Sequence, residues 1–169
     1  MVDRELYRAL AGTFPSGVTV VTAMDRDGIP RGLTTQSFIG LSTDPPLMLV
    51  SVDRTSRTLP ALQHAGAFVI NFLKAGTEEI SARFASKGDD KFAGVAWTPS
   101  PAANGAPILQ DCIVAFAECS VEAVHEAGDH FAFVGRVVGG KLAQGAPLMY
   151  FRRAYAAWPD EKPPAGEPA

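Results

Sequence analysis

Short β-forming runs, each closed by turn residues, recur along this chain, and no long helical period separates them. Residues 18–24, VTVVTAM, are β-branched and read as a strand. DRDG at 25–28 makes a hairpin turn, and a return strand begins at 31–34. Residues 37–42 and 47–52 extend the sheet around the Pro45-Pro46 turn. AFVINFL at 67–73 is a strongly apolar strand, 112–125 and 131–142 are two long strands joined by EAGD, and 147–151 is the last. Gly135, Gly139 and Gly140 mark bulges or tight bends in the second long strand, as at a barrel corner.

The helical pieces are brief. Asp3 caps the first, with Leu6 and Leu10 on one face and Gly12 ending it. A second, within 56–66, starts from Ser56 or Thr58 and tolerates Pro60 only in its first turn. A third, 78–85, sets Ile80 and Phe84 four apart behind an acidic first turn. FPSG at 14–17 reads as a turn, 86–92 as a polar loop, and 97–107 as irregular. Six or more strands at this spacing, with helices so short, predict a mainly β fold: a closed or nearly closed barrel.

Composition narrows the function classes. At 169 residues, 47% apolar and 20% charged, the chain reads as one globular domain over 1–158. A tail at 159–169, with four prolines in eleven residues, is expected to be disordered. A net charge of −3 removes the electrostatic driver of nucleic-acid binding. No apolar run is long enough to span a bilayer and no leader pattern opens the chain, so a soluble cytoplasmic protein is expected. Cys112 and Cys119 lie seven apart in what reads as one strand, about 23 Å at roughly 3.3 Å per residue. That is beyond disulfide reach of about 7 Å, so both read as small buried thiols.

Chemistry-bearing motifs are few. There is no G-x-S-x-G elbow, no HExxH, no paired-carboxylate motif and no Walker or G-x-G-x-x-G loop. His64, His125 and His130 are scattered, which argues against a metal site. The stretch 32–52, GLTTQSFIGLSTDPPLMLVSV, offers instead Thr34, Thr35, Gln36 and Ser37 between two strands. Such a cluster presents hydroxyls and backbone amides at a sheet edge, either to a ligand or merely to water. Ser56 and Thr58 at a helix start favour phosphate, and Arg83 and Lys91 can add charge-assisted contacts.

The order of these pieces carries more than any one of them. FPSGVTVVTA, G-x-T-x-x-S-F, DPPL, the INFL strand, ARFA…DKF and GDH…VGRV follow one another from Phe14 to Tyr155. This series resembles the flavin reductase family with the FMN-binding split-barrel fold, whose members supply reduced flavin to partner monooxygenases. The resemblance implies an NAD(P)H:flavin oxidoreductase that uses FMN or FAD with NADH or NADPH. It also implies a homodimer, with the flavin near the subunit interface, and a separate oxygenase as recipient. Thr34, Thr35, Gln36 and Ser37 would line the isoalloxazine, with Ser51 and Asp53 beside the ribityl chain. Ser56 and Thr58 would bind ribityl hydroxyls or phosphate. Arg83, Phe84, Lys91 and Phe92 would close over the phosphate end. His130 would position the nicotinamide, and Tyr150 and Tyr155 would pack near the flavin or across a dimer. Gln36 departs from the smaller residue many members carry. Two rivals are a flavin-binding sensor or electron carrier without turnover, and a split-barrel oxidoreductase using another cofactor.

Overall fold

The computed structural model describes residues 2–157; the expected tail at 159–169 lies outside them. The chain runs α1 (Arg4–Ala11), β1 (Ser16–Gly17), β2 (Thr19–Met24), β3 (Pro30–Thr35), β4 (Phe38–Thr43), β5 (Pro46–Asp53), α2 (Leu59–Ala65) and β6 (Ala67–Leu73). It continues with α3 (Glu78–Ala85), β7 (Trp97–Pro99), β8 (Pro107–Leu109), β9 (Ile113–Ala127), β10 (His130–Leu142), β11 (Leu148–Phe151) and β12 (Ala154–Ala157). Seven strands form one antiparallel sheet in the order β3-β2-β6-β9-β10-β5-β4. A small sheet, β1-β11-β12, and the hairpin β7-β8 complete it.

The sheet curls until its ends approach. The edge strands β3 and β4 are consecutive in sequence, joined only by Gln36 and Ser37. Ser51 of β5 donates its backbone N–H to the Ser37 carbonyl at 3.0 Å, and Thr35 Oγ1 of β3 donates to the Ser51 carbonyl at 3.4 Å. Residues 35–37 are thus the seam of a nearly closed barrel, and partial closure limits the exposed edge that an open sheet would leave.

Burial follows from this curvature. β2 and β6 are neighbours within the sheet and are buried on both faces, which accounts for their mostly apolar, β-branched sequences. Val21, Ile70, Phe68 and Phe133 meet inside the barrel with Val50, Val52 and Leu62. Val20, Leu73, Phe84, Leu109 and Leu148 form a second cluster on the outer side. Asn71 is the polar exception in β6. Its Nδ2 donates to the Val20 carbonyl at 3.1 Å and its Oδ1 accepts from the Leu109 N–H at 2.9 Å, pinning β8 across the strand. Register shifts at Val134/Gly135 and Val137/Gly139 are the bulges expected from the glycines. A Cβ on Gly135 would sit 2.6 Å from Phe68 Cζ, so only glycine lets β10 lie this close to the core.

Three elements differ from the sequence reading. FPSG is not only a turn: Ser16 and Gly17 pair with Tyr150 and Met149. Residues 97–107 are not wholly irregular, because Trp97–Pro99 and Pro107–Leu109 pair as a short hairpin. A further strand, Ala154–Ala157, pairs back on β11. Each has two to four residues, below the length at which alternation becomes visible. Cys112 precedes β9 and Cys119 lies within it; both are buried and free.

Candidate functional site

The site follows the barrel seam. Thr34, in β3, spends its hydroxyl on α3: Oγ1 donates to the Ser81 carbonyl at 2.7 Å. Thr35 Oγ1 also accepts from the Ser37 N–H at 3.1 Å. Gln36 and Ser37 are exposed and keep their side chains free among the described residues. Ser81 is fully buried, and its Oγ accepts from the Tyr155 hydroxyl at 2.9 Å. Tyr155 in turn stands edge-on to Tyr150, ring centres 5.0 Å apart. A continuous polar and aromatic rim therefore joins Tyr150, Tyr155, Thr34, Thr35 and Ser51. Ser81 was missed by sequence reading; a small polar residue on the apolar face of an eight-residue helix was its only signal.

Lys91 anchors the next part of the rim. Its Nζ donates to the Gly32 carbonyl at 3.1 Å and to the Phe84 carbonyl at 2.7 Å. Burial, helped by the nearby Arg57 charge, pushes its pKa below the usual lysine value. Among the described residues Lys91 has no carboxylate in salt-bridge range, so two carbonyls and one unused N–H leave its charge uncompensated. Arg57 itself pairs with Asp89 at the surface. Ser56 Oγ accepts from the Thr58 N–H at 3.3 Å, and Thr58 is buried at the start of α2 without a side-chain cap bond.

Not every expected contact residue faces outward. Phe84 is fully buried and lies edge-on to Phe92 at 5.0 Å, so it supports the rim from below. Arg83 is exposed and donates to the Ala93 carbonyl, tying α3 to the 86–96 loop.

The far end of the rim is built on strand pairing. His130 opens β10 opposite Asp53, the last residue of β5. Asp53 Oδ1 accepts from the Thr55 hydroxyl at 2.7 Å and its N–H at 2.6 Å. These bonds, with the His130 charge adding a little, hold its carboxyl below the ordinary aspartate range. His130 Nδ1 lies 2.7 Å from Asp129 Oδ1, which lowers the Asp129 pKa in the same way. A carboxylate only accepts, so Nδ1 carries the proton and Nε2 is left for a ligand.

Arg54 was also missed. Its N–H donates to the Asp129 carbonyl at 2.9 Å, its Nε to the Gly128 carbonyl at 2.9 Å, and its Nη2 to Glu126 at 2.7 Å. Stacked 4.8 Å from the Phe131 ring centre, it clamps the turn that carries His130. In the sequence it is one arginine among many beside a turn.

A small cleft of about 20 Å³ brings Thr58, Lys91 and Phe92 together with Gly32 and Arg57; two larger cavities lie elsewhere. One of about 820 Å³ is apolar, runs past Met48, Phe72, Phe116, Val137, Leu142 and Pro147, and touches none of the expected site residues. One of about 320 Å³ borders Gln36 and Tyr150 at the seam. Its rim includes Arg152 and Arg153, the two turn residues between β11 and β12, at φ +47° and +65°. Non-glycine residues held there cost on the order of 1–3 kcal/mol each.

The donor set fits a flavin nucleotide: hydroxyls and backbone amides at the seam for a polar ring edge, and an uncompensated lysine for phosphate. Comparison with known proteins agrees. Residues 11–159 match the family described as "Flavin reductase like domain". The chain is 45% identical over 166 residues to "Flavin reductase (NADH)" of Kitasatospora aureofaciens, covering 97% of this chain and 86% of that protein. It is 40% identical to the "Flavin-dependent monooxygenase, reductase subunit HsaB" of Rhodococcus jostii, covering 97% and 83%. The Streptomyces globisporus NADH:FAD oxidoreductase SgcE6, solved with NAD and FAD fragments, superposes with a TM-score of 0.88 at 31% identity, covering 95% and 96%. A matching barrel, a rim suited to flavin and a family match over nearly the whole length converge: the chain belongs to the flavin reductase-like family.

Proposed function

We propose that this chain is an NAD(P)H:flavin oxidoreductase that reduces FMN or FAD and passes the reduced flavin to a separate monooxygenase component. The observation that carries this is the seam itself. Thr35, Gln36, Ser37 and Ser51 line a polar edge, Lys91 stands uncompensated at one side, and His130 stands at the other. Relatives that match 97% of this chain are named as NADH-dependent flavin reductase and as a monooxygenase reductase subunit.

The flavin, when bound, supplies the electron acceptor for a hydride from the reduced nicotinamide. The protein's own work is placement. Ser37 and Gln36 hold the ring edge, and Ser51 and Asp53 flank the ribityl chain. Ser56, Thr58 and Lys91 receive the phosphate, with Arg83 and Phe92 shaping the loop above it. Tyr150 and Tyr155 wall the ring side. His130 binds the nicotinamide amide through Nε2, and Arg54 holds its turn. No side-chain acid or base is required.

The same reading includes a homodimer and work in the cytoplasm, where the reduced nicotinamide pool lies. The open apolar groove along β9 and β10, bordered by the exposed Leu142, supports self-association, as do the exposed Ile39 and Leu41 of β4 and Val138 of β10. Sedimentation at micromolar concentration tests it.

The deciding assay pits NADH and NADPH against FMN, FAD and riboflavin, followed by nicotinamide absorbance. Turnover with any flavin supports the reading, and a chain that binds flavin without oxidising either donor is a carrier or sensor. His130→Ala should raise KM for the nicotinamide by more than it lowers kcat. A collapse of kcat at unchanged KM removes the positioning role.

A further inference from the structure

Ser81 ties together two parts of the rim that lie far apart in the chain. It sits within α3, is 1% exposed, and shares the buried face of that helix with Phe84, one turn on. A hydroxyl buried on an apolar face is costly unless it finds a partner. The Ser81 Oγ finds one in the Tyr155 hydroxyl at 2.9 Å, 74 residues away. Its backbone carbonyl accepts from Thr34 Oγ1 at 2.7 Å, 47 residues away. One small residue thus joins a seam strand to β12.

The support behind Ser81 is firm. β3 and α3 are stapled twice: Lys91 Nζ bridges the Gly32 and Phe84 carbonyls, and Thr34 reaches the Ser81 carbonyl. The staples are two residues apart on β3, roughly 7 Å, and three apart on α3, about 4.5 Å of rise. What Ser81 holds is not firm by itself. Tyr155 is 38% exposed and stands in a four-residue edge strand that pairs only with β11. Its bond to Ser81 is the one side-chain hydrogen bond made by β12 among the described residues. A tyrosine so placed samples several rotamers unless its tip is held. Fixing it before a ligand arrives lowers the ordering cost of binding.

We infer that Ser81 is a positioning residue for the flavin ring: by holding the Tyr155 hydroxyl it fixes the two-tyrosine wall beside the seam before the ring arrives. This rests on the reductase reading, which puts Tyr150 and Tyr155 at the ring side. Ser81 reaches no ligand itself and acts through Tyr155. The wall meets the ring and not the phosphate, so riboflavin and FMN feel Ser81 alike. It bears on flavin occupancy rather than on hydride transfer, so KM for flavin moves while kcat at saturating flavin does not.

The test combines fluorescence titration of riboflavin and FMN with steady-state kinetics on the full chain, Ser81→Ala, Tyr155→Phe and the double variant. Circular dichroism checks each fold. Tyr155→Phe removes the same bond from its exposed end, so it decides alone if Ser81→Ala does not fold. Each single variant should weaken both flavins by the same factor, at least about threefold, the worth of one hydrogen bond. Both delete one bond, so the double variant should bind no more weakly than the weaker single one. A loss under threefold in Tyr155→Phe overturns the proposal. So do multiplying losses in the double variant, a loss confined to FMN, or a fall in kcat at unchanged flavin KM. If no chain oxidises NADH yet the binding losses appear as stated, the role of Ser81 stands and the reductase reading fails. If the parent turns over and the losses are missing, only the role of Ser81 fails.

Discussion

Gly32→Ala tests whether the rim depends on the close approach of β3 to the core beneath it. A Cβ at position 32 would lie 2.8 Å from Phe84 Cε1 and 2.9 Å from Cδ1, with Thr22 Cγ2 at 3.3 Å. The nearest contact is about 0.6 Å inside the 3.4 Å limit of ordinary contact. Phe84 cannot retreat, since it is fully buried and edge-on to Phe92. Overpacking of this kind costs typically about 1–3 kcal/mol, or roughly 2–4 °C of Tm per kcal/mol in a domain of this size. The same displacement moves the Gly32 carbonyl, which accepts from Lys91 at 3.1 Å. Flavin affinity should therefore fall together with stability. Phe84→Leu removes the ring edge; alone it costs stability by leaving a cavity, but combined with Gly32→Ala it should restore at least about 1 kcal/mol of coupling. The assay is urea denaturation of the four members of the cycle, paired with FMN titration. Additive losses in the double variant, or a Gly32→Ala chain as stable as the parent, refute the reasoning.

Other consequences can be checked directly. Arg54→Ala frees the Gly128-Asp129 turn; because the Glu126 pair is exposed, stability should change by less than about 1 kcal/mol, while KM for NADH rises several-fold in steady-state kinetics. Burial, with the Glu118 charge adding to it, pushes the Cys119 thiol up to about 12, and burial raises Cys112 as well. An aromatic disulfide reagent at pH 8 should label neither thiol in the native protein and both after denaturation. Asp53 and Asp129 have folded-state pKa values below the ordinary 3.8, so their bonds to Thr55 and His130 stabilise the turn above that pH. That contribution is lost as pH falls through the folded values. Thermal melts should show Asp129→Asn with a flatter acid limb than the parent below about pH 4.

Much of the barrel was legible because its long strands carry their own signal. β2 and β6 are buried on both faces and so read as mostly apolar, β-forming runs, and the glycines of β10 announced its bulges. β1, β7, β8 and β12 were not legible, since two to four residues cannot display a period and their pairing depends on distant chain. The seam residues 34–37 stood out by composition. Phe84 shows the limit: a motif places it near the phosphate end, but only packing reveals that its ring turns inward. Arg54 and Ser81 act through carbonyls and a tyrosine hydroxyl far away in sequence, and neither leaves a local pattern.

The first and last strands of the curled sheet meet at Gln36 and Ser37, so a molecule seated there grips both ends of one ribbon. Opening the ribbon would dismantle the binding surface at the same time, and no half-folded intermediate lacking that junction could retain the ligand. Occupancy then acts as a clasp: at a hundredfold excess over Kd it would add about 2.7 kcal/mol to the folded state. Newly made chains would in this way be sorted by cofactor supply, with those that find no flavin reopening more often and falling to proteolysis sooner.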